Sequence, residues 1–123
     1  HGRNDLDDTI ARLQAFAEAG ADVLYAPGLR TAEDILRVVK AVAPKPVNLL
    51  VGWASELTVR DIAELGVRRI SVGGALARVA WAGLMSAARS IVEQGRFDGF
   101  ASAASGRELD AFFREPAKAP GAG

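Results

Sequence analysis

The chain has 123 residues, half of them apolar, fifteen acidic against fifteen basic, and no cysteine. That length suffices for one small domain with its own core, and the even charge balance argues against nucleic acid, whose binders carry a basic excess. Disulfides, thiolate metal sites and a cysteine nucleophile are excluded within the chain, its apolar runs are too short to span a bilayer, and a cytoplasmic setting is expected.

The first helix is expected to be capped by Asn4, with Asp5, Asp7 and Asp8 in its first turn, where negative charge suits the helix dipole. Leu6, Ile10, Leu13 and Ala17 follow at helical spacing, and Gly20 is the stop. The run from Ala21 to Ala26 reads as a strand ending at Pro27-Gly28. Thr31 and Asp34 form a capping pair for a second helix, whose apolar stripe is Ile35, Val38, Val39 and Val42. Val47 to Val51 reads as the second strand, ending at Gly52.

Thr58 and Asp61 start a third helix with Leu57, Ile62 and Leu65 as its stripe. Gly66 closes it. A third strand runs from Val67 to Val72 and ends at Gly73-Gly74. A long helix is expected from about Ala75 to Gln94, with Leu76, Val79, Ala80, Gly83, Leu84, Ala87 and Ile91 on a packed face. Gly95 to Phe100 is a turn. Ser105 and Glu108 start a last helix through Leu109, Phe112 and Phe113, which Pro116 ends. Residues 1–115 form the expected domain, and residues 116–123 have the composition of a flexible tail.

Residues 18–28 align without gaps on residues 64–74. In both segments a helix end and a glycine lead into a strand and then into a glycine turn, and the strand after Pro46 lies between them. A repeat of about 25 residues per strand and helix is the period of parallel sheets and (β/α)8 barrels. The apolar runs suggest strands buried on both faces. Such a barrel needs eight strands and about 250 residues, and only three strands are present. An open three-stranded sheet would also leave unpaired edges. The expected fold class is therefore α/β, three parallel βα units plus C-terminal helices: either a piece of a (β/α)8 TIM barrel or a sheet that pairs its edges with another copy.

The order and spacing of Arg12-Leu13-Gln14-Ala15-Phe16-Ala17-Glu18-Ala19-Gly20-Ala21-Asp22-Val23-Leu24-Tyr25, then Pro46-Val47-Asn48, then Leu65-Gly66-Val67-Arg68-Arg69-Ile70-Ser71-Val72-Gly73 resembles the isocitrate lyase and phosphoenolpyruvate mutase superfamily, in particular its carboxyvinyl-carboxyphosphonate phosphorylmutase-like members. The resemblance covers about residues 3–115. It implies that the chain is the C-terminal portion of a (β/α)8 TIM barrel and supplies its strands six, seven and eight. It also implies a lyase or phosphonomutase-type enzyme acting on C–C or P–C bonds of small 2-oxo acids or phosphonates, with Mg2+ stabilising an enolate. The family's Mg2+ ligands belong to its first half, so no metal ligand and no catalytic residue is expected here. The isolated chain is expected to be inactive and the enzyme to be a homo-oligomer. Characterised members carry Glu or His at the end of strand six, where this sequence has Pro27. Several lyases carry Asn and Thr on strand seven, where it has Leu50 and Gly52.

Within that frame the expected substrate-binding residues are Asn48, Gly52, Ser71, Gly73 and Gly74. Asn48 is a polar residue in an apolar strand and shares a face with Leu50 and Gly52. Gly73-Gly74 precedes a helix and can present backbone N–H groups to a phosphate or carboxylate. Ser71 shares a face with Arg69 and Gly73; no base is placed beside it for nucleophilic work. Tyr25 and Pro27 share the corresponding face of the first strand, and Arg30 is a candidate for an anionic substrate. Arg68 and Arg69 read as ion-pair residues, Trp53 as a cover over the core, and Trp81 as either core or subunit interface. The Asp5, Asp7 and Asp8 cluster is explained by its helix start rather than by a metal. Two other readings stand beside the enzyme: a non-catalytic assembly unit that pairs its strand edges with another copy, and half of a phosphate-binding barrel.

Overall fold

The computed structural model describes residues 5–114. Two compact units divide between Arg78 and Val79. The expected Asn4 cap and the 116–123 tail lie outside the described residues, as does the Pro116 stop.

The first unit alternates helix and strand: α1 (Leu6–Glu18), β1 (Leu24–Tyr25), α2 (Ala32–Val42), β2 (Val47–Leu50), α3 (Val59–Glu64), β3 (Arg69–Ser71) and the start of α4 (Ala75–Gln94). The three strands form one parallel sheet in the order β1-β2-β3. Leu24 pairs with Val47, Tyr25 with Asn48, Asn48 with Arg69 and Leu50 with Ser71.

Local chemistry explains each helix end. Asp5 caps α1: its carboxylate accepts the Asp8 N–H at 2.9 Å, satisfying one of the orphan donors of the first turn. At the other end, the Gly20 N–H donates to Ala17 C=O and the Ala21 N–H to Phe16 C=O, a Schellman closure with Gly20 at φ 101°. The same closure recurs at α3, where Gly66 donates to Ala63 and Val67 to Ile62, with Gly66 at φ 93°. The internal repeat is thus a repeat of backbone geometry. Thr58 and Asp61 complete a reciprocal capping box at α3.

Leu24, Ala26, Val47 and Leu49 point to one side of the sheet and join Leu13, Leu29, Ile35, Val38, Val42, Ile62 and Val67 in a single core. Asp7 of α1 pairs with Arg37 of α2 at 2.7 Å, and Gln14 donates to Ala41 C=O at 3.0 Å, tying those helices together.

Two expectations about the strands need correction. β1 is two residues long, not six. The edge strands are also not buried on both faces, since Val23, Tyr25 and Arg69 are exposed, whereas central β2 buries Val47, Asn48 and Leu49 in succession, as expected. A strand paired on one side only, and covered on one face only, keeps just the contacts its single neighbour provides.

The second unit contains the rest of α4, a 3-10 turn at Asp98–Ser102 and α5 (Gly106–Arg114). The turn packs tightly back on the helix: a Cβ on Gly99 would lie 2.9 Å from Ala87 Cα. The Ser90 hydroxyl donates to Asp98 at 2.8 Å. At α5, Ser105 and Glu108 exchange bonds in the same reciprocal way as Thr58 and Asp61. No residue of α4, of the turn or of α5 is buried. The expected packed face of α4 is therefore not packed among the described residues. Ala87 and Ile91 are half-buried, but Leu76, Val79 and Leu84 are exposed, and Trp81 is 61% exposed rather than in a core.

Candidate functional site

Residues alternate faces along a strand, so the register defines what lies opposite the core. That second face carries Tyr25, Asn48, Leu50, Arg69 and Ser71, and by continuation Pro27, Gly52 and Gly73 at the carboxyl ends. Asn48, Gly52, Ser71 and Gly73 therefore share one surface, as their spacing predicts.

Its centre is a polar cluster. The Asn48 amide donates to the Ser71 hydroxyl at 3.1 Å, and Arg69 donates to the Asn48 amide oxygen at 3.0 Å. The Ser71 hydroxyl faces Leu49 C=O at 3.5 Å, a long contact. Asn48 is 5% exposed although its face has no covering layer, because Arg69 and Ser71 close over it. No buried side-chain polar atom among the described residues lacks a partner. Among the described residues Ser71 takes part in hydrogen bonds with Asn48 and Leu49. Arg69 meets an amide rather than an acid. Neither Arg68 nor Arg69 forms an ion pair among the described residues, contrary to expectation. Arg68 points its guanidinium back to the Val67 carbonyl at 3.3 Å.

The carboxyl ends of β2 and β3 are joined by a residue that sequence reasoning missed. Arg78, in the first turns of α4, donates to Gly52 C=O at 2.6 Å, and its guanidinium lies 3.5 Å from where a Gly74 Cβ would stand. Gly73 has φ 52°, which favours glycine, whereas a Cβ at Gly74 would make only ordinary contact with Arg78. Ala75 N–H is taken by Val72 C=O, which closes the turn. Only the spacing between the glycines and an arginine one helical turn later signals this contact, and that is too common a pattern to single out.

Arg30 does not stand free over the site. Its guanidinium stacks on Trp53, 4.4 Å from the ring centroid, joining the loops after β1 and β2. Trp53 also covers a small hollow lined by Leu29, Ile35, Leu49 and Ile62, as expected of a core lid.

The acidic cluster at α1 is fully engaged: Asp5 caps the helix, Asp7 pairs with Arg37 and Asp8 pairs with Arg12 at 2.9 Å. Among the described residues no group of three or more His, Asp or Glu side chains could hold a metal ion. The open sheet face carries a guanidinium, an amide and a hydroxyl. These do not fit a Mg2+ shell, which needs anionic oxygen ligands.

The phosphoenolpyruvate phosphomutase family model matches residues 1–92. The chain belongs to that family. A candidate lyase/mutase from Burkholderia cenocepacia J2315 is 48% identical, with a TM-score of 0.86 over 94% of this chain and 42% of that one. A candidate phosphonomutase from the same organism is 40% identical over 69% of this chain and 33% of its own, with a TM-score of 0.62. An oxaloacetate acetylhydrolase solved with its product oxalate is 27% identical, covering 85% of this chain and 37% of its own, with a TM-score of 0.68. An uncharacterised Mycobacterium tuberculosis protein is 35% identical over 69 residues, 56% of this chain and 26% of that protein. The chain thus spans less than half the length of these family relatives. No helix among its described residues is long and apolar enough to cross a membrane.

Proposed function

We propose that this chain forms the last three βα units of a (β/α)8 barrel in a lyase or phosphonomutase-type enzyme acting on C–C or P–C bonds of small 2-oxo acids or phosphonates. The open face of the sheet is then the inner wall of the barrel. One observation carries the reading. A sheet fully packed on one side presents on the other a closed polar cluster, Arg69, Asn48 and Ser71, with glycine turns above it, and a lone three-stranded sheet has no use for such a face.

In this reading Gly52, Gly73 and Gly74 stand at the mouth, where barrel enzymes bind substrate. There the N-terminal end of α4 favours a carboxylate or phosphonate. Ser71 lies one level below and offers a hydroxyl, held in place by Asn48. Arg78 fixes the two glycine turns relative to each other. Mg2+, if the enzyme uses it, is held by residues other than those described here, and the chain's own contribution is binding and positioning.

The test is an assay of the isolated 123-residue chain for Mg2+-dependent turnover of oxaloacetate and related 2-oxo acids. The reading predicts none above buffer. Turnover in the usual enzymatic range, of order 1–1000 per second, would overturn it.

The exposed apolar side chains of the second unit favour a second reading, an assembly unit that associates with another copy. Sedimentation at micromolar concentration separates the two, since a clean monomer argues against self-assembly.

A further inference from the structure

Among the described residues the open sheet face carries one formal charge. Val23, Tyr25, Pro27, Asn48, Leu50, Gly52, Arg69, Ser71 and Gly73 alternate onto it, and among them only Arg69 is ionised at neutral pH. Arg69 makes a single hydrogen bond to the face, through one guanidinium nitrogen to Asn48. A guanidinium has five N–H donors in a rigid fork, and a buried one that lacks a counter-charge is strongly destabilising. In the chain as it stands Arg69 is exposed and water meets this need. Inside a closed barrel water is excluded.

On the reading that this face becomes a barrel interior, we infer that the polypeptide closing the barrel brings an inward-facing carboxylate that pairs with Arg69. The level of the residue separates a protein carboxylate from a substrate. Arg69 begins β3, four residues before Gly73, which is about 13 Å along a strand. Substrates of parallel barrels bind at the glycine end, whereas Arg69 lies in a lower layer that side chains fill. The guanidinium leans across β2 to reach Asn48, and the rest of it stands exposed over the open face, which the other strands of a closed barrel would confront. Asn48 takes one of the five N–H donors, so four donors and the charge remain. The occupant is therefore an acidic side chain on one of the facing strands, which forms a bidentate pair with the free edge of the guanidinium.

The experiment replaces the matched 42% of the Burkholderia cenocepacia lyase/mutase by this whole chain and compares thermal unfolding of that chimera with the chain alone. Arg69→Met keeps the apolar stem and removes the charge; Arg69→Lys keeps the charge. The inference predicts that Arg69→Met lowers the chimera's midpoint by on the order of 10 °C, with Arg69→Lys recovering part of the loss. In the isolated chain the same changes shift the midpoint by no more than about 2 °C. Equal small shifts in both settings would overturn the carboxylate and leave the barrel standing. Equal losses for Met and Lys in the chimera would also overturn it, because charge would then be irrelevant. A chimera with Arg69 intact that fails to unfold as one cooperative unit would remove the barrel reading and this inference with it.

Discussion

The two halves of the chain obey the same local rules and reach different ends. In residues 5–78 the helices are capped, glycines close α1 and α3, and eleven apolar side chains are buried in one core. In residues 79–114 the helix is long, α5 is capped by Ser105 and Glu108, and its apolar side chains repeat at helical spacing, yet none is buried. Correct local signals are therefore not what makes a core. Three strands in register give α1, α2 and α3 a surface on which to bury their stripes. Leu84, Trp81, Phe112 and Phe113, at the same helical spacing, are exposed.

The largest effect that separates the halves is cavity formation. Leu49 is 2% exposed at the centre of β2. Leu49→Ala should cost about 2–5 kcal/mol in urea unfolding of the chain. Leu84→Ala, on the exposed face of α4, should stay within about 0.5 kcal/mol. Equal costs would mean that the second half is packed after all, and the contrast would fail.

A pair of glycines sharpens the same point. Gly66 has φ 93°, and its Cβ would stand 2.8 Å from Val39 Cγ1. Gly66→Ala combines backbone strain with a clash and should destabilise by about 1–3 kcal/mol. Gly83 sits inside α4 with nothing within 4 Å of where a Cβ would be. Gly83→Ala should stabilise that helix by up to about 1 kcal/mol, visible as increased helicity by circular dichroism. Destabilisation by Gly83→Ala would show that α4 is closely packed at that point.

The smallest difference lies in acid. Bonds from the Thr58 side chain and backbone hold the Asp61 carboxyl below its ordinary value, and Ser105 does the same for Glu108. Both folded values are depressed, so each cap contributes above the unfolded value. That contribution is lost as pH falls through the folded value, which lies below each carboxyl's ordinary one. Thr58→Ala should flatten the loss of global stability in that range. Ser105→Ala should change only local helicity of α5, because no buried residue depends on that helix. If both variants alter global unfolding equally, the halves are not energetically distinct.

Much of the first half was legible in the sequence. The helix stripes, the capping residues, the glycine stops and the order of the strands all follow from short-range patterns, and Thr58 with Asp61 behaves as its spacing requires. Strand length was not legible. Ala21 to Ala26 has the composition of a six-residue strand, but how much of it pairs depends on neighbours, and it has one. The clustering of Asn48 with Ser71 follows from period two and register. The bond from Arg69 to Asn48 does not, because a basic pair such as Arg68-Arg69 suggests acids nearby and the local sequence cannot say that an amide takes their place. The link from Arg78 to Gly52 joins residues 26 apart through a loop and a turn, and no sequence spacing encodes it. The packed face drawn for α4 shows the opposite failure: periodicity identifies which side chains need a partner, not whether one is within reach.

The central claim is that the sheet is an open segment of a larger closed barrel, and amide hydrogen exchange on its two edge strands tests this most directly. In the isolated chain, β2 should exchange slowly, while the outward-facing amides of β1 and β3 exchange on the time scale of exposed loops. In the chimera with the Burkholderia cenocepacia protein, both edges should become as slow as β2. Edges that are already protected in a monomeric isolated chain, or that stay fast in a folded chimera, would contradict the account.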